Sequence, residues 1–489
     1  MANSLAQKHP DYSEFLEDWT LMRDCWRGER KVKSKSTEYL PATTGHIMDG
    51  FPQQTTIGTS AYMAYRKRAR FPGFTKEAIQ KAIGMMHSQP PTITLPKGLE
   101  NIRSSRGESL PMLLRRINLE QLLTGRVGVM ADLPTFGGDI PYLSTYAAER
   151  IINWDDGEIE ALVPQVMNLV VLDESESVRE VGFDWTQKEK YRVLVLGSLE
   201  ANEGQAVYRQ GAFEEQFNEA GLMVPQWRGN TLNVIPFVII NSGDLVSSPE
   251  EPPLLDLANL CMTIYRSDAD YRQNLFMQGQ DTFVTTGANL EEGDAIRMGA
   301  GSRLDLPLNA TAEYVGVTSQ GLSEQRQAIE RLEGRAGSMG AQIIDSTSRE
   351  RESGDSLSIR VSARTADMNQ IVDTSAAGLE SILKVCAVWI NENPDEVSVK
   401  PNKEFGEAPL TGQTMVEIAT AKNLGWPISQ RSMHELSVRR RVTVRSYEEE
   451  QEEAKKETGS PFKLLEKDQN TQNNPKDNQT KKNTGNGPE

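Results

Sequence analysis

Apolar positions at three- or four-residue intervals open the chain. Tyr12, Phe15, Trp19, Met22 and Trp26 keep this helical spacing, Pro10 suits the start and Gly28 the stop. Further helices are predicted over about 61–70, 75–87 and 110–123, the second ended by Pro90-Pro91. From about 126 to 240 the pattern changes to short β-rich runs at 126–131, 168–172, 191–196, 206–208 and 234–240. Turns such as Asp155-Asp156-Gly157 and Asn241-Ser242-Gly243 separate them. Helices do not alternate regularly with these strands, so the pattern predicts a mixed α+β body rather than a doubly wound sheet.

After Pro252-Pro253 the helical spacing returns on Leu254, Leu257, Cys261, Ile264, Tyr271 and Leu275, broken only at Asp268. About forty β- and Gly-rich residues follow, including Phe283 to Gly287 and Ala312 to Val317. A second stripe then runs through Leu322, Ile329, Leu332, Ala336, Met339 and Ile343, broken at Gln325. Two helices of roughly 35 Å, at 1.5 Å per residue, thus flank a small β insert. Gly334, Gly337 and Gly340 in the second helix predict a close backbone approach, a bend or a frayed end. Beyond a hydrophilic stretch at 345–355, a long helix is predicted over 356–391, with Met368, Val372, Ser375, Leu379, Ile382, Cys386 and Trp389 on its buried side. Shorter helices are expected at 411–424, 429–438 and 446–457, and a disordered tail beyond 458.

The length, 489 residues, allows more than one packing unit. With 69 acidic against 53 basic residues, the formal charge is −16. That balance argues against a broad grip on nucleic acid, which comes from neutralising phosphates. It is compatible with a protein past which DNA slides. No apolar run is long enough to predict a membrane span, and residues 1–10 lack a secretion signal. Cys25, Cys261 and Cys386 are odd in number and far apart, so buried reduced thiols are expected rather than disulfides or a zinc site.

Catalytic motifs are absent. There is no Walker A run and no G-x-S-x-G elbow. His9, His46, His87 and His434 show no metal-ligand spacing. Asp155-Asp156-Gly157-Glu158 lacks the alternating ligands of a calcium loop and is read as a turn. No enzyme activity, metal or cofactor is expected. Two basic clusters, Arg66-Lys67-Arg68 with Arg70 and Arg439-Arg440-Arg441 with Arg445, fit either solvated ion-pairing faces or contacts to DNA phosphates.

Several runs in order resemble the portal family of tailed bacteriophages, in particular the portal-like group labelled DUF4055. They are His9-Pro10-Asp11-Tyr12 with Trp19 and Arg23-Asp24-Cys25; Tyr65 to Phe71 with Gly84 and Pro90-Pro91; Ile151-Ile152-Asn153-Trp154 with Leu172-Asp173-Glu174 and Tyr191-Arg192-Val193-Leu194; Ser267-Asp268 to Leu275 before Phe283-Val284-Thr285-Thr286-Gly287; and Gly340-Ala341 before Ser356 to Ala363. The resemblance covers roughly 9–457. It implies a portal fold: a mixed α/β wing at 1–250, stem helices at 251–275 and 319–344, a small β-rich clip at 276–318, a tunnel loop at 345–355, a long kinked wing helix at 356–395 and a helical crown at 396–457.

The resemblance further implies a homododecameric ring at one capsid vertex, the head-tail connector through which double-stranded DNA is packaged and ejected. Its partners would be the major capsid protein, the large terminase subunit, a head-tail adaptor and a scaffold, with no membrane. It would reside in the virion, and in the host cytoplasm during assembly. Arg349 and Arg351 would touch DNA in the tunnel loop, with Glu350 and Glu352 keeping that contact weak. The stem stripes, through Leu254, Leu257, Ile264, Ile329, Leu332 and Met339, would be covered by adjacent copies. Two alternatives compete: another phage head or adaptor protein, and a cytosolic metal-dependent hydrolase or nuclease whose carboxylates hide among the acidic residues.

Overall fold

The computed structural model describes residues 5–134, 140–156, 166–180, 182–197, 207–214, 216–279, 282–287, 306, 308–315, 321–342, 354–403, 405, 412–439 and 445–456. The molecule is mixed α+β, and the chain divides into two compact units, Met1–Gly406 and Glu407–Glu489.

The first unit opens with helix α1 (Pro10–Arg27), started by Pro10 and by His9, whose ring accepts from the Asp11 amide. It stops at Gly28, where φ is 85°. Short helices α2 (Glu29–Ser34) and α3 (Thr44–Met48) follow, the latter held by a Thr43–His46 capping box. Helix α4 (Ile57–Arg68) begins at Ile57, earlier than the apolar spacing predicts, because Thr56 caps it by accepting from the Thr59 amide. Helix α5 (Phe74–Met86) leads to strand β1 (Thr92–Thr94), and α6 (Leu110–Thr124) leads to the central strands.

Strands β2 (Arg126–Asp132) and β3 (Tyr142–Ala147) join β10 (Phe237–Asn241) in the order β10-β2-β3. A second sheet, β4-β5-β8-β9, is built from β4 (Ile151–Asp156), β5 (Met167–Asp173), β8 (Tyr191–Leu196) and β9 (Tyr208–Phe213). Between β5 and β8, strands β6 (Glu176–Arg179) and β7 (Trp185–Lys188) form a ribbon of their own. Every pairing between these strands is antiparallel. Two expectations change here. Asp155 and Asp156 close strand β4 instead of making a turn, and Asn168 donates to the Asp155 carboxylate and the Asp156 carbonyl. Of the run at 206–208, Tyr208 opens β9, which continues to Phe213, and Ala206 lies outside the described residues.

Helix α7 (Leu255–Gln278), strands β11 (Thr282–Thr286) and β12 (Thr311–Val315), and helix α8 (Leu322–Gln342) come next. Helix α9 (Gly354–Trp389) has 36 residues, about 54 Å at 1.5 Å each. Strand β13 (Ser398–Lys400) pairs with β1. That pairing puts 396–406, expected at the start of the crown, in the first unit.

The core has three parts. One is helical, among α1, α4, α5 and α7. One lies on the four-stranded sheet, and one between α6, β2 and β10. Helix α9 enters all three: Met368 and Val372 in the first, Trp389 in the second, Leu379, Ile382 and Cys386 in the third. Each of its seven predicted inward positions is at most 2% exposed. Each large apolar side chain buried this way contributes roughly 1.5–3 kcal/mol. Gly378 lets the helix approach β10 closely, since a Cβ there would lie 2.5 Å from Ile240 Cδ1.

The second unit contains α10 (Gly412–Asn423), α11 (Gln430–Arg439) and α12 (Tyr447–Lys456). Ser429 caps α11 by accepting from the Ser432 amide.

Candidate functional site

The feature set apart from the sheets is the helical pair α7–α8 with β11–β12 at its end. Near the C-terminal end of α7, Asn274 donates to Gln325 near the start of α8, at 3.1 Å, so the two run antiparallel. Strands β11 and β12 pair antiparallel from Thr282↔Val315 to Thr286↔Thr311, and Phe283 packs on Tyr314 with centroids 5.2 Å apart.

Both interruptions of the apolar stripes turn out to be polar anchors. Gln325 is the acceptor just described. Asp268, 8% exposed, accepts from the Arg70 amide at 2.7 Å and from Arg272 Nε at 2.7 and 2.9 Å. An acceptor at that place satisfies the backbone N–H just beyond the end of α4, which would otherwise be lost to solvent on packing.

Helix α4 grips the outer half of α7 with two more side chains. Tyr65 donates to Asp270 at 2.6 Å. Arg68 donates to Gln273 and stacks on Phe276 at 4.0 Å. Of the first basic cluster, therefore, Arg68 is committed to holding α7, while Lys67 and Arg70 are exposed.

The stem residues show which chain covers the stripes. Leu254, Leu257 and Ile264 are at most 3% exposed, and Ile329 is 8% exposed. Leu332 and Met339 are half-buried against the same cluster. Their cover comes from α1, α4, α5 and each other, all within one chain. Packing within one chain already covers Leu254, Leu257, Ile264 and Ile329, so these four need no adjacent copy, while Leu332 and Met339 stay half-buried. What α7 leaves exposed is its outer end, Leu275, Phe276 and Met277, each at least 40% exposed.

Arg349, Glu350, Arg351 and Glu352 lie outside the described residues, as do Arg440 and Arg441. Arg439 is the last residue of α11. Arg445, before α12, is 3.9 Å from Glu450.

A family model described as "Domain of unknown function (DUF4055)" matches residues 253–390, from two residues before α7, through the hairpin, to one residue past the end of α9. No curated protein matches the chain. Among solved structures, the chain is similar to one in the "Virion of native gene transfer agent (GTA) particle", with 11% identity and a TM-score of 0.38 over 80% of this chain and 98% of that one. It is also similar to one in the "Neck of native GTA particle computed with C12 symmetry", with 12% identity and a TM-score of 0.36 over 81% and 98%.

The titratable groups elsewhere serve the fold. The three cysteines are free and buried, and burial raises the pKa of each, that of Cys386 to about 12. His87 bonds Asn118 at 2.9 Å, and His46 sits in its capping box; burial lowers the pKa of both. Arg23 bridges Glu120 and Glu149, tying α1 to α6 and to the approach to β4. Among the described residues no group of three His, Cys, Asp or Glu side chains could hold a metal ion, and no helix is long and apolar enough to cross a membrane.

Proposed function

We propose that this chain is a portal-like subunit: one of a ring of copies forming the DNA channel at a capsid vertex. The observation that carries the reading is the antiparallel pair α7–α8, ended by the β11–β12 sheet and followed, beyond 343–353, by the long helix α9. This stretch coincides with the matched residues 253–390. It is the order stem, clip, stem, long helix that the portal resemblance implies. The coarser form of the proposal is a structural protein of the head or neck of a phage-like particle.

The physics suits a passive conduit. A closed ring needs a heterologous contact between two different faces of one chain. A net charge of −16 keeps passing DNA from adhering. Arg349 and Arg351 supply brief phosphate contacts, weakened by Glu350 and Glu352. The clip faces the terminase during packaging and the adaptor afterwards, and the ATPase is a separate protein. The chain itself performs no catalysis.

Native mass spectrometry of the purified protein, with negative-stain images, tests the reading. The expected result is a ring of about twelve copies, the count the portal resemblance implies, with an axial channel wide enough for duplex DNA. A compact monomer or dimer without a projecting hairpin overturns it. Arg349→Ala with Arg351→Ala is expected to change DNA retention while leaving ring assembly intact; unchanged packaging and release would remove the tunnel contact from the proposal.

A further inference from the structure

The β6–β7 ribbon has no core of its own. The ladder of the four-stranded sheet reaches Asp173↔Tyr191, and Glu174 extends it by donating to the Lys190 carbonyl at 2.8 Å. The flanking strands β4 and β9 end there, at Ile151↔Leu172 and Tyr191↔Phe213. The ribbon then continues alone from Glu176↔Lys188 to Arg179↔Trp185. Apart from half-buried Val178 and Thr186, its paired residues are exposed. At its tip Phe183 is 92% exposed and Trp185 66%. A two-stranded ribbon is marginal in water by itself, and two exposed aromatic rings are the usual anchors of a contact.

A matching recess lies on the same chain. A cavity of about 300 Å³ is lined by Ile93, Leu95, Ile102, Leu110 and Pro111, with Glu100, Asn101 and Arg103 at its exposed edge. Its size suits one aromatic ring, and Phe183 of the same chain does not occupy it, being exposed. The charges are complementary. The ribbon, 176–189, carries Glu176, Glu180, Asp184 and Glu189 against Arg179 and Lys188. Around the cavity, Lys97, Arg103 and Arg115 stand against Glu100, while Arg106 and Arg116 border a second pocket with Asp173, Glu174 and Glu176 of the same chain, and Arg116 pairs with Glu108. That is a local basic excess in an acidic chain, and opposite potentials steer such surfaces together.

We propose that the β6–β7 ribbon is an arm that docks on the next copy of this chain, seating Phe183 in the Ile93–Leu110 cavity. The proposal rests on the ring reading and assigns its two unlike patches, a knob and a hole. It requires no rearrangement of the core, because both elements lie at the surface.

The test is a cysteine cross-link between copies. Phe183→Cys protein is mixed with Asn101→Cys protein under mild oxidation. The native cysteines are 0% exposed, so they contribute little background. Covalent dimers are expected from the mixture and not from either variant alone, and a multimer ladder from the double variant. Separately, Phe183→Asp with Trp185→Asp is expected to leave thermal unfolding of the chain unchanged and to lower the ring population in native mass spectrometry at least tenfold. Rings that persist in this variant, with no cross-link in the mixture, overturn the arm and leave the ring reading standing. A wild-type chain that forms no ring at all overturns both.

Discussion

Helices α7 and α8 carry the same apolar spacing yet are buried to very different depths. In α7, Leu255, Leu257, Ala258, Cys261, Met262, Ile264, Tyr265 and Ala269 are all buried. In α8, among the residues whose burial is described, Ile329 and Ala336 are, with Leu332 and Met339 half-buried. The difference follows from what each touches. Helix α7 is enclosed by α1, α4, α5 and α8, whereas α8 lies mainly on α5 and α7. Its outer face carries ion pairs such as Arg326–Glu330, at 2.8 Å. A stripe therefore announces that a helix buries one face; the number of neighbours decides how deeply, and their identity is a matter of tertiary structure.

The contrast can be broken by truncation. Ile264→Ala in α7 is expected to cost about 2–5 kcal/mol in urea unfolding. Leu332→Ala in α8 should cost less than half of that, because the site is already half open to water. Equal losses would mean that α8 is as enclosed as α7. Next come the polar anchors. Asp268→Ala strands the Arg70 amide and is expected to cost about 1–3 kcal/mol, while Gln325→Ala at the more exposed anchor costs about 0.5–1.5 kcal/mol.

Glycine exchange sharpens the comparison further. A Cβ at Gly334 or Gly337 meets nothing within 4 Å, and at Gly340 only Ala78 Cβ, at 4.0 Å. Within one chain neither Gly334 nor Gly337 serves a close approach. Gly334→Ala and Gly337→Ala should each stabilise the isolated chain by about 0.5–1 kcal/mol, read as a rise in Tm. Gly378→Ala in α9 should destabilise it, by collision with Ile240. A fall in Tm for the α8 variants would show a bend that only glycine allows.

The smallest expected effect is acid sensitivity of the body that surrounds α7. Buried His87 has a lowered pKa in the fold, so the unfolded imidazole takes up a proton that the folded one resists. Its contribution is complete above the ordinary imidazole value and is lost as pH falls through that value towards the folded one. Glu174 acts in the same direction. Burial raises its pKa, but Arg192 and the Tyr146 hydroxyl lower it more, so the net shift is downward and its contribution is lost only below the ordinary carboxylate value, at lower pH than that of His87. Melting temperature should fall from pH 7 to pH 5, and less steeply in His87→Gln. An unchanged slope would remove His87 from the account.

What was legible in the sequence depended on depth of burial. The inward face of α9 is readable position by position because sheet and helices enclose it along most of its length. Helix α1 is readable for the same reason and is punctuated by Pro10 and Gly28. The β6–β7 ribbon was not: Glu-Ser-Val-Arg and Trp-Thr-Gln-Lys face no core, so no alternation marks them as strands. The start of α4 was hidden because Ile57 is 80% exposed and Gly58 breaks the pattern. In the hairpin, Asp268 and Gln325 registered only as defects of a stripe. Their hydrogen-bond roles depend on Arg70 and Asn274, and on how those helices pack.

The pairing of β1 with β13 joins Thr92–Thr94 to Ser398–Lys400, and α9 fills all three parts of the core just before that junction. Such distant contacts make folding slow and late. At about 5–20 residues per second of synthesis, tens of seconds separate the emergence of the two strands from the ribosome. Throughout that interval β1 has no edge to pair with, and the sheets lack the helix that seals them. The first unit thus matures as a late, concerted step of biosynthesis.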